Sequence, residues 1–578
     1  MEPVDVVPGE SLRQRVREVQ VDELPKLADT VVLIDIREGF EVAGGTMAGA
    51  FHVPADDLVD CFDEVVTDSS KLVCLVCNSG RRSRMCAAEL LDGSASNVAS
   101  LRGGLKAWQT AGNGLVAVPE RRPTSDSPMS WAAIRADFPI VRRLVPVLSG
   151  REVELLYLDH AASTHPPSRV LQQYSRFIAH DYANIHRGAH RLSRAATHDF
   201  DRCYSVVAAF IRADLEHSAV VFTGNTTQAI DLCAAVMQPV EGATIVTDLE
   251  HHSNDLPHRR RGDVLRAGVL NDGSLDVDHI ETLLKQHRVK LVAVSGASNV
   301  TGWMPDIHRV AELAHRHGAK ILVDAAQLLA HYPIDVRPTT DPGHLDFLAA
   351  AGHKAYAPFG AAFLHGPRDV FDAAPPYIPG GGTAVEVTAS DVQWVGTPDR
   401  HQGGTPNVGG VIALASALEF LDTIGMDRVR QHEVELTRAA MTRLSALDGV
   451  TIYGPTDPEA RLGVLSFNIE GISDMLVAAI LSEERGIACR NGRFCAHPYM
   501  ARILATQGGA TPEPNHTPGA VRASFGLYNE EFDVERLVEA VEMIRRGQFR
   551  GRYSINHEGV AAERAARCND RWMEARRS

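Results

Sequence analysis

The 578-residue sequence has few cysteines, no secretory signal and no long apolar run. Its nine cysteines are odd in number and irregularly spaced, which argues against a disulfide framework of the kind found in small secreted proteins. The N-terminus lacks a basic region followed by an apolar core, and no apolar stretch reaches membrane-spanning length. We therefore expect a cytoplasmic protein without membrane contact, in which free thiols can react.

An excess of positive charge is also absent. Lysine and arginine number 58 against 73 aspartate and glutamate residues, so the formal net charge is −15. Nucleic-acid-binding proteins need a cationic surface to replace phosphate counterions, and nucleic acid is therefore not an expected partner. With 578 residues the chain exceeds what one hydrophobic core organises, which predicts two or three domains that bind small molecules or other proteins.

Short β-branched runs alternate with helical stretches along most of the chain, as expected of α/β domains. We assign residues 15–117 to a small parallel-sheet domain and 118–130, rich in Pro, Ser and charge, to a linker. Larger strand runs such as VKLVAVSG and AKILVDAAQ place a second α/β domain at 131–546, with a smaller α+β subdomain from about 425 to 546. The basic tail, 547–578, is expected to be a helical extension without a chemical role.

The sequence CNSGRRS begins at Cys77, after a predicted strand, and leads into a predicted helix at its end, Ser83. Backbone N–H groups of this loop and of the helix N-terminus would converge near Cys77, which stabilises a thiolate. Arg81 and Arg82 add positive charge, and Gly80 permits a tight turn. A buried, inert cysteine is the alternative. The combination C-x-x-G-x-R-S favours a reactive cysteine in an anion-holding loop.

These residues resemble the rhodanese family, whose active-site loop begins with a cysteine that carries a persulfide. The resemblance covers about residues 20–116 and includes the motifs LIDIRE and GGLKAW. Related phosphatases place the arginine one residue further from the cysteine, in a loop wide enough for phosphate. Arg82 lies five residues after Cys77, which suits the smaller sulfur. Thr46 stands where the family usually has histidine, at a position that is more structural than catalytic.

A second strand–turn–helix pattern, VVFTGNTTQAIDL, places Thr226 and Thr227 where helix-start N–H groups can hold a phosphate. Polar N-caps are common, so this feature alone indicates only a helix start. Asp324 ends a predicted strand, with Gln327 three residues on, at the kind of sheet edge where α/β proteins bind ligands. Lys354 lies in an apolar segment that would lower its pKa and make its amine a nucleophile. A phosphate site, a ring-pairing carboxylate and a Schiff-base lysine together predict pyridoxal 5'-phosphate.

Residues 131–546 resemble the class V aminotransferases, and among them the cysteine desulfurases and selenocysteine lyases. Matching motifs occur in order: IRADFP, LYLDHAAST, TGNTTQAI, LEHHSN, ASNVTG, VDAAQ, GHK, GGTPNVGG, CRNGRFCAH and VRASFGLYN. The resemblance implies the α/β fold of fold-type I pyridoxal-phosphate enzymes, with a large domain and a C-terminal α+β subdomain. It also implies a homodimer, and a site without a metal ion.

The resemblance assigns roles around the cofactor. Lys354 would bind it covalently, Asp324 would pair with the ring nitrogen, and Gln327 would contact the phenolic oxygen. His251 would stack on the ring and move protons. The residues implied to hold the phosphate are Thr226, Thr227 and His353, with Thr405 reaching the phosphate of the other subunit.

The resemblance also assigns a substrate side. Asn299, Arg490 and Arg522 would bind the substrate, and the planar fork of an arginine suits its carboxylate. Cys495 matches the persulfide-forming cysteine. The sequence departs from the family at Ala351, which replaces a phosphate-binding hydroxyl residue and predicts weaker cofactor binding. It departs again just before Cys495, where Arg-Phe replaces a histidine pair and leaves the acceptor and the choice between sulfur and selenium open.

The expected function is conversion of L-cysteine to L-alanine with a persulfide on Cys495. We expect the sulfur to pass to Cys77 and then to an acceptor protein or small thiol. Alternatives are a selenocysteine lyase, or a transaminase or epimerase in which Cys495 is dispensable. The rhodanese-like part could instead be regulatory or be loaded separately from thiosulfate. The short tail disfavours a molybdenum-cofactor sulfurase, which usually carries an additional domain.

Overall fold

The structure is a computed structural model, and two compact units can be distinguished in it. It describes residues 16–27, 30–37, 46–53, 71–92, 95–115, 129–509, 517–556 and 559–564, together with the single residues 55, 58, 62 and 66. The units are Met1–Pro128 and Met129–Ser578. Residues 118–128 of the predicted linker and 565–578 of the predicted tail lie outside the described residues.

The N-terminal unit is built on a five-stranded parallel sheet in the order β1-β5-β4-β2-β3. Its strands are β1 (Arg17–Val19), β2 (Val31–Asp35), β3 (Ala50–His52), β4 (Leu72–Val76) and β5 (Val98–Leu101), and its helices are α1 (Arg81–Asp92) and α2 (Gly104–Thr110). The middle strand β4 is buried at all five positions, as expected of a strand covered on both faces. Its side chains alternate between two hydrophobic clusters, and this alternation carries the side chain of Cys77 into the cluster of Val73 and Leu75.

The position where the sequence departs from the rhodanese pattern has a structural explanation. Thr46 is fully buried, and its hydroxyl donates to Asp35 Oδ2 at 2.6 Å. The same carboxylate pairs with Arg37 at 2.8 Å. Thr46 therefore helps to satisfy a buried carboxylate at the end of β2, which agrees with the expectation that this position is structural.

The C-terminal unit contains one large mixed sheet, one small antiparallel sheet and their covering helices. Its helices are α3 (Trp131–Ala136), α4 (Ser168–Arg176), α5 (Arg191–Phe210), α6 (Thr226–Val236), α7 (Leu256–Arg261), α8 (Val277–Gln286), α9 (Ile307–Arg316), α10 (Arg368–Ala373), α11 (Val408–Ile424), α12 (Met426–Ser445), α13 (Asp474–Arg485), α14 (His497–Gln507) and α15 (Glu531–Arg545). Its strands are β6 (Leu144–Pro146), β7 (Glu152–Glu154), β8 (Leu156–Tyr157), β9 (Ser218–Thr223), β10 (Ala243–Thr247), β11 (Val264–Ala267), β12 (Val289–Ser295), β13 (Lys320–Asp324), β14 (Phe347–Ala351), β15 (Ala362–Pro367), β16 (Ala384–Val387), β17 (Val392–Trp394), β18 (Val450–Ile452), β19 (Val464–Ile469), β20 (Ile487–Ala488), β21 (Arg490–Gly492), β22 (Ala520–Ser524), β23 (Gly551–Asn556) and β24 (Gly559–Arg564).

The large sheet has seven strands in the order β11-β10-β12-β13-β14-β15-β9. Strand β15 runs antiparallel to both of its neighbours, and the other pairs are parallel. Along β12, Val292 and Val294 pack into the cluster that includes α5, α9 and α11, while Leu291 and Ala293 pack into the cluster of α6 and α10. Helices thus cover both faces, and the carboxyl ends of β12, β13 and β14 are left as one edge at which a ligand can bind.

The small sheet, in the order β18-β19-β22-β21, packs against α12, α13 and α15 and forms the α+β part of the unit. Helix α11 is buried on nearly every side within the main core. No single helix of the described chain is long and apolar enough to cross a membrane. Helices α11 and α12, which meet at a bend of 78°, pass such a test only when taken together.

The tail is not helical where the structure describes it. Strands β23 and β24 form an antiparallel hairpin that closes with the pair Asn556 and Gly559. The backbone N–H groups of Arg550 and Gly551 donate to Glu484 Oε1 at 2.6 and 2.7 Å, which fixes the start of the hairpin on α13. The prediction of a helix was wrong for the described part of the tail, because pairing between two neighbouring strands, anchored on Glu484, overrides the helix-forming residues there.

Candidate active site

Most of the predicted site residues line one cavity of about 320 Å³ in the C-terminal unit, at the carboxyl ends of the large sheet's central strands. The predicted residues that line it are Thr226, Thr227, His251, Asn299, Asp324, Gln327, His353, Lys354, Arg490, Cys495 and Arg522. They come from segments spread over about 300 residues of sequence. The fold therefore brings together side chains that were predicted from the sequence to hold a cofactor, to bind its substrate and to carry the persulfide.

Lys354 and Asp324 give the cavity its electrostatic character. Lys354 lies in the short helix Gly352–Lys354, directly after β14. Burial lowers the pKa of Lys354 to about 8, and the opposing attraction of Asp324 only partly offsets this. Burial raises the pKa of Asp324. The hydrogen bond from the Ala326 N–H at 3.0 Å and the charge of Lys354 lower it, but they only partly offset the effect of burial. A readily deprotonated amine near a buried carboxylate suits capture of an aldehyde.

His251 is held as a neutral ring. Its Nδ1 accepts the backbone N–H of Ser253 at 3.1 Å, which assigns the ring proton of the neutral form to Nε2. Burial and, to a smaller extent, the charge of Lys354 together lower the pKa of His251 to about 3. An uncharged imidazole in this position can stack on an aromatic ring.

The N-terminus of α6 forms an anion site. Asn225 caps the helix, because its side chain accepts the Gln228 N–H at 2.9 Å. The buried hydroxyl of Thr226 has no hydrogen-bond partner among the described residues, and its place at a helix N-terminus suits a phosphate group. The hydroxyl of Thr227 lies 2.7 Å from that of Ser253. This cradle, together with Lys354 and Asp324, fits pyridoxal 5'-phosphate.

Three other residues near the cofactor cavity have defined surroundings. Gln327 donates from Nε2 to the carbonyl of Ala161 at 2.8 Å. Burial and the charge of Lys354 lower the pKa of His353 to about 4. Ala351 is fully buried at the end of β14, and its methyl group cannot form the hydrogen bond to phosphate that a hydroxyl residue could form.

The substrate side of the cavity is dominated by Arg522. Its guanidinium donates from Nη1 to the carbonyl of Asn299 at 2.9 Å and from Nη2 to Asp159 Oδ1 at 3.0 Å. The group lies 4.8 Å from the centre of the Phe494 ring. Its Nε has no partner among the described residues. The sequence analysis assigned no role to Asp159, although the motif LYLDHAAST contains it.

Cys495 lies at the rim of the cavity on a short, sharply turned loop. Phe494 and Cys495 both adopt left-handed backbone conformations, with φ of 51° and 54°. Asn299 donates from Nδ2 to the Phe494 carbonyl at 2.7 Å, and the His252 N–H donates to the Cys495 carbonyl at 2.8 Å. The thiol is exposed to solvent and also lines the cavity. Such a thiol can meet a ligand inside the cavity and a partner outside it.

The predicted persulfide loop of the N-terminal unit has a different geometry. Cys77 is only 2% exposed, and its Sγ accepts the N–H of Ser83 at 3.3 Å and the Ser83 hydroxyl at 3.4 Å. Gly80 adopts a φ of 79°, which supplies the tight turn. Arg81 and Arg82 are exposed at the start of α1. These contacts support a sulfur anion on Cys77.

The GGLKAW motif holds this loop from the other side. A Cβ on Gly104 would lie 2.1 Å from the Cys77 carbonyl oxygen, so only glycine fits there. The N–H groups of Leu105 and Lys106 donate to the carbonyls of Cys77 and Asn78 at 2.9 and 3.1 Å. The start of α2 is thus bonded directly to the cysteine loop, which explains why the two motifs occur together.

Thr405 does not line the Lys354 cavity. It lies in a separate cavity of about 260 Å³, which also includes Arg187, Gly382 and Gly404. The expectation that it contacts the other subunit's phosphate stays a prediction.

Comparison with known proteins gives two family matches. Residues 156–537 match the aminotransferase class-V family, and residues 20–111 match the rhodanese-like domain. A cysteine desulfurase of Escherichia coli O127:H6 is 36% identical over 423 residues, which cover 72% of this chain and 98% of the relative. A probable cysteine desulfurase 2 of Mycobacterium leprae is 36% identical over 440 residues, covering 74% and 99%.

Solved structures give the same result. The apo cysteine desulfurase of Thermococcus onnurineus NA1 is 32% identical, with a TM-score of 0.65, and the match covers 73% of this chain and 99% of that one. A cysteine desulfurase of Escherichia coli is 29% identical, with a TM-score of 0.62 and coverage of 73% and 100%. Both solved structures have the fold predicted for the C-terminal unit, and they confirm its predicted architecture.

Proposed function

The chain belongs to the class V aminotransferase family, among its cysteine desulfurases, and carries a rhodanese-like domain; from this premise we propose that it takes sulfur from L-cysteine and releases L-alanine. The observation that carries the proposal is the cavity that Lys354 and Cys495 share with Asp324 and Arg522. It combines a site for an amino acid, a site for its cofactor and an exposed thiol.

The family depends on pyridoxal 5'-phosphate, which when bound supplies an electron sink for the substrate's α-carbon. In this chain Lys354 would attach it, Asp324 would pair with its ring nitrogen, and the start of α6 with Thr226 and Thr227 would hold its phosphate. The Lys354 amine, which its lowered pKa keeps readily deprotonated, would also take the proton from the substrate's α-carbon. Arg522, whose Nε–H has no partner among the described residues, would bind the substrate carboxylate.

Cys495 performs the sulfur step in this proposal. Its thiolate attacks the substrate sulfur, so that a sulfur–sulfur bond forms while the bond from sulfur to the β-carbon breaks. The electron pair of the broken bond remains on the carbon fragment, which takes up a proton and leaves as alanine. Cys495 is left with a persulfide, and no external oxidant or reductant is required.

We further propose that Cys77 receives this sulfur. A linker such as residues 118–130 raises the effective concentration of a tethered loop to about the millimolar range. The hydrogen bonds from Ser83 would stabilise the persulfide anion on Cys77 before it passes to an acceptor protein or small thiol. A homodimer completed through Thr405, a cytoplasmic location and a role for L-selenocysteine as a substrate remain predictions.

The test is peptide mass spectrometry after L-cysteine is added to the pyridoxal-loaded protein, asking which cysteine gains one sulfur atom. We expect sulfur on Cys495 in wild type and in Cys77→Ala, and sulfur on Cys77 only when Cys495 is present. Absence of sulfur from Cys495 in the loaded enzyme would favour a transaminase or epimerase. Sulfur that stays on Cys495 and never reaches Cys77 would contradict the proposed transfer between the two cysteines. It would favour separate loading of the rhodanese-like domain from thiosulfate.

A further inference from the structure

Two like charges face each other beside the cavity. Strands β21 and β22 pair antiparallel, and in their register Arg490 lies directly opposite Arg522. Directly opposed like charges destabilise a pair of strands. Arg522 is 2% exposed, and burial lowers its pKa, so its charge is poorly solvated. The arrangement requires a counter-ion.

Asp159 is that counter-ion. Its Oδ1 accepts from Arg522 Nη2 at 3.0 Å, and its Oδ2 accepts from Arg490 Nε at 3.0 Å. Its backbone is fixed as well, because Asp159 forms a bridge with Ser524 at the end of β22. The Ser524 hydroxyl in turn accepts the N–H of Ala161 at 2.9 Å, two residues further along. One carboxylate on a fixed backbone thus holds both guanidinium groups.

The geometry leaves the cavity side of the arginines open for a ligand. Arg490 and Arg522 both line the cavity, whereas Asp159 is not part of the wall that the described residues form. The carbonyl of Asn299 accepts one N–H of Arg522 Nη1 and Asp159 accepts one N–H of Nη2, and the buried Nε has no partner among the described residues, so donors of this five-donor group remain for a ligand. Two guanidinium groups and one built-in carboxylate leave a net charge of +1 for the ligand to neutralise.

We propose that Asp159 is a positioning residue that orients Arg490 and Arg522 to receive the single α-carboxylate of the substrate. The proposal rests on the proposed function, because it takes the substrate to be an amino acid. Asp159 does not touch the reacting atoms, so its effect is confined to ligands that carry a carboxylate. A residue needed only for the fold would weaken all ligands alike.

The chain offers a matched control in Asp231. This carboxylate also bridges two arginines, Arg260 and Arg261, both at 2.8 Å. Its side chain is 13% exposed, against 14% for Asp159. It does not belong to the described wall of the Lys354 cavity. Replacement of either aspartate by asparagine removes the same kind of bridge, and only one replacement touches the proposed carboxylate site.

The experiment compares the pyridoxal-loaded wild type, Asp159→Asn, Asp159→Glu and Asp231→Asn in L-cysteine-dependent alanine release. For Asp159→Asn we expect KM to rise about 10- to 100-fold, because the two guanidinium groups lose the carboxylate that orients them toward the substrate, with kcat within about threefold of wild type. Asp159→Glu, which keeps the charge but displaces it by one methylene group, should give an intermediate KM. Asp231→Asn should keep the wild-type KM even if its thermal unfolding midpoint falls.

A second readout uses cysteamine, which lacks the carboxylate, as an inhibitor. Its inhibition constant should stay within about twofold of wild type in Asp159→Asn, because the removed contact serves only the carboxylate. An unchanged KM for L-cysteine, a fall in kcat alone, or equal losses for L-cysteine and cysteamine would each overturn the proposal. If Asp159→Asn does not fold, Asp159→Glu is judged by the same criteria. A wild type that releases no alanine would contradict the proposed function instead, so the two failures are distinguishable.

Discussion

The two cysteines that carry sulfur in the proposed reaction lie in opposite surroundings. Cys495 is exposed, lies in a left-handed turn and lines a cavity that also contains Lys354. Cys77 is buried at the end of a central strand, and its sulfur is hydrogen-bonded to Ser83. The two thiols therefore differ in access, which favours Cys495, and in hydrogen bonds to the sulfur, which Ser83 supplies to Cys77.

The contrast matches two different tasks. A thiol that takes sulfur out of a substrate has to reach into a cavity and then present its persulfide to a partner. A thiol that stores sulfur benefits from a small enclosure that excludes water and supplies hydrogen bonds. Substitutions at the two sites should therefore affect different steps of the reaction, and the two thiols should react with alkylating reagents at different rates.

Removal of each thiol should give the largest difference. We expect Cys495→Ala to lower L-cysteine-dependent alanine release by about three orders of magnitude or more, because Cys495 is the one cysteine among the described residues that line the cavity. Cys77→Ala should retain alanine release within about twofold of wild type when an external thiol is supplied. Alanine is quantified by amino-acid analysis. An equal loss of alanine release in both variants would contradict the assignment of different steps to the two cysteines.

Access to reagents should separate the sites next. Iodoacetamide should modify Cys495 in the native, cofactor-free protein about 100-fold faster than Cys77, because alkylation of a buried sulfur needs local opening of its loop. Quantitative peptide mass spectrometry over a time course measures both rates in one sample. The difference should disappear in denaturant. Comparable native rates would show that burial of Cys77 does not limit its reactions.

The cavity that Cys495 lines contains the titrating amine of Lys354, and this sharpens the comparison. Burial lowers the pKa of Lys354 to about 8, and the neutral amine is the form that reacts with an aldehyde. Loading of the cofactor-free protein with pyridoxal 5'-phosphate should therefore accelerate as pH rises toward 8 and level off above it. An ordinary lysine derivative should keep accelerating until about pH 10.4. Stopped-flow absorbance measures the loading rate against pH for both. A rate for the protein that keeps rising to about pH 10.4, as for the free lysine derivative, would contradict the lowered pKa of Lys354.

The smallest effect should come from Ser83. Ser83→Ala removes the hydroxyl that donates to Cys77 but leaves the backbone N–H in place. We expect sulfur transfer from Cys77 to cyanide to slow by about fivefold, the equivalent of one modest hydrogen bond, with no change in alanine release. Ser100→Ala is the matched control, since Ser100 contacts the Ser83 hydroxyl at 2.8 Å but not the sulfur. If sulfur transfer to cyanide slows more in Ser100→Ala than in Ser83→Ala, the slower transfer results from disturbed packing and not from the lost hydrogen bond to the sulfur.

The sequence predicted those parts of the site that depend on local pattern. A buried strand followed by a polar turn located Asp324 and Thr226 correctly at strand and helix ends. The apolar segment around Lys354 predicted a lowered pKa, and burial in the fold produces it. These features need only a few neighbouring residues to be recognisable.

The features that the sequence did not predict depend on distant residues. Asp159 has no neighbour in sequence that marks it as the counter-ion of Arg490 and Arg522, because their opposition arises only from the register of β21 and β22. Phe494, seen in the sequence only as a departure from a histidine, proves to stack against Arg522. The C-terminal hairpin was missed because its helix-forming residues are outweighed by strand pairing and by contacts with Glu484.

The hydrogen bond between Asp159 and Arg522 has a consequence for synthesis on the ribosome. It joins residues 363 positions apart, so the second partner emerges on the order of 20–70 s after the first at ordinary elongation rates. The parallel sheet of the N-terminal unit pairs residues that all lie between 17 and 101, and can form while most of the chain is still unmade. The nascent protein thus completes the loop around Cys77 early, and the cavity wall that includes Arg522 only near the end of translation.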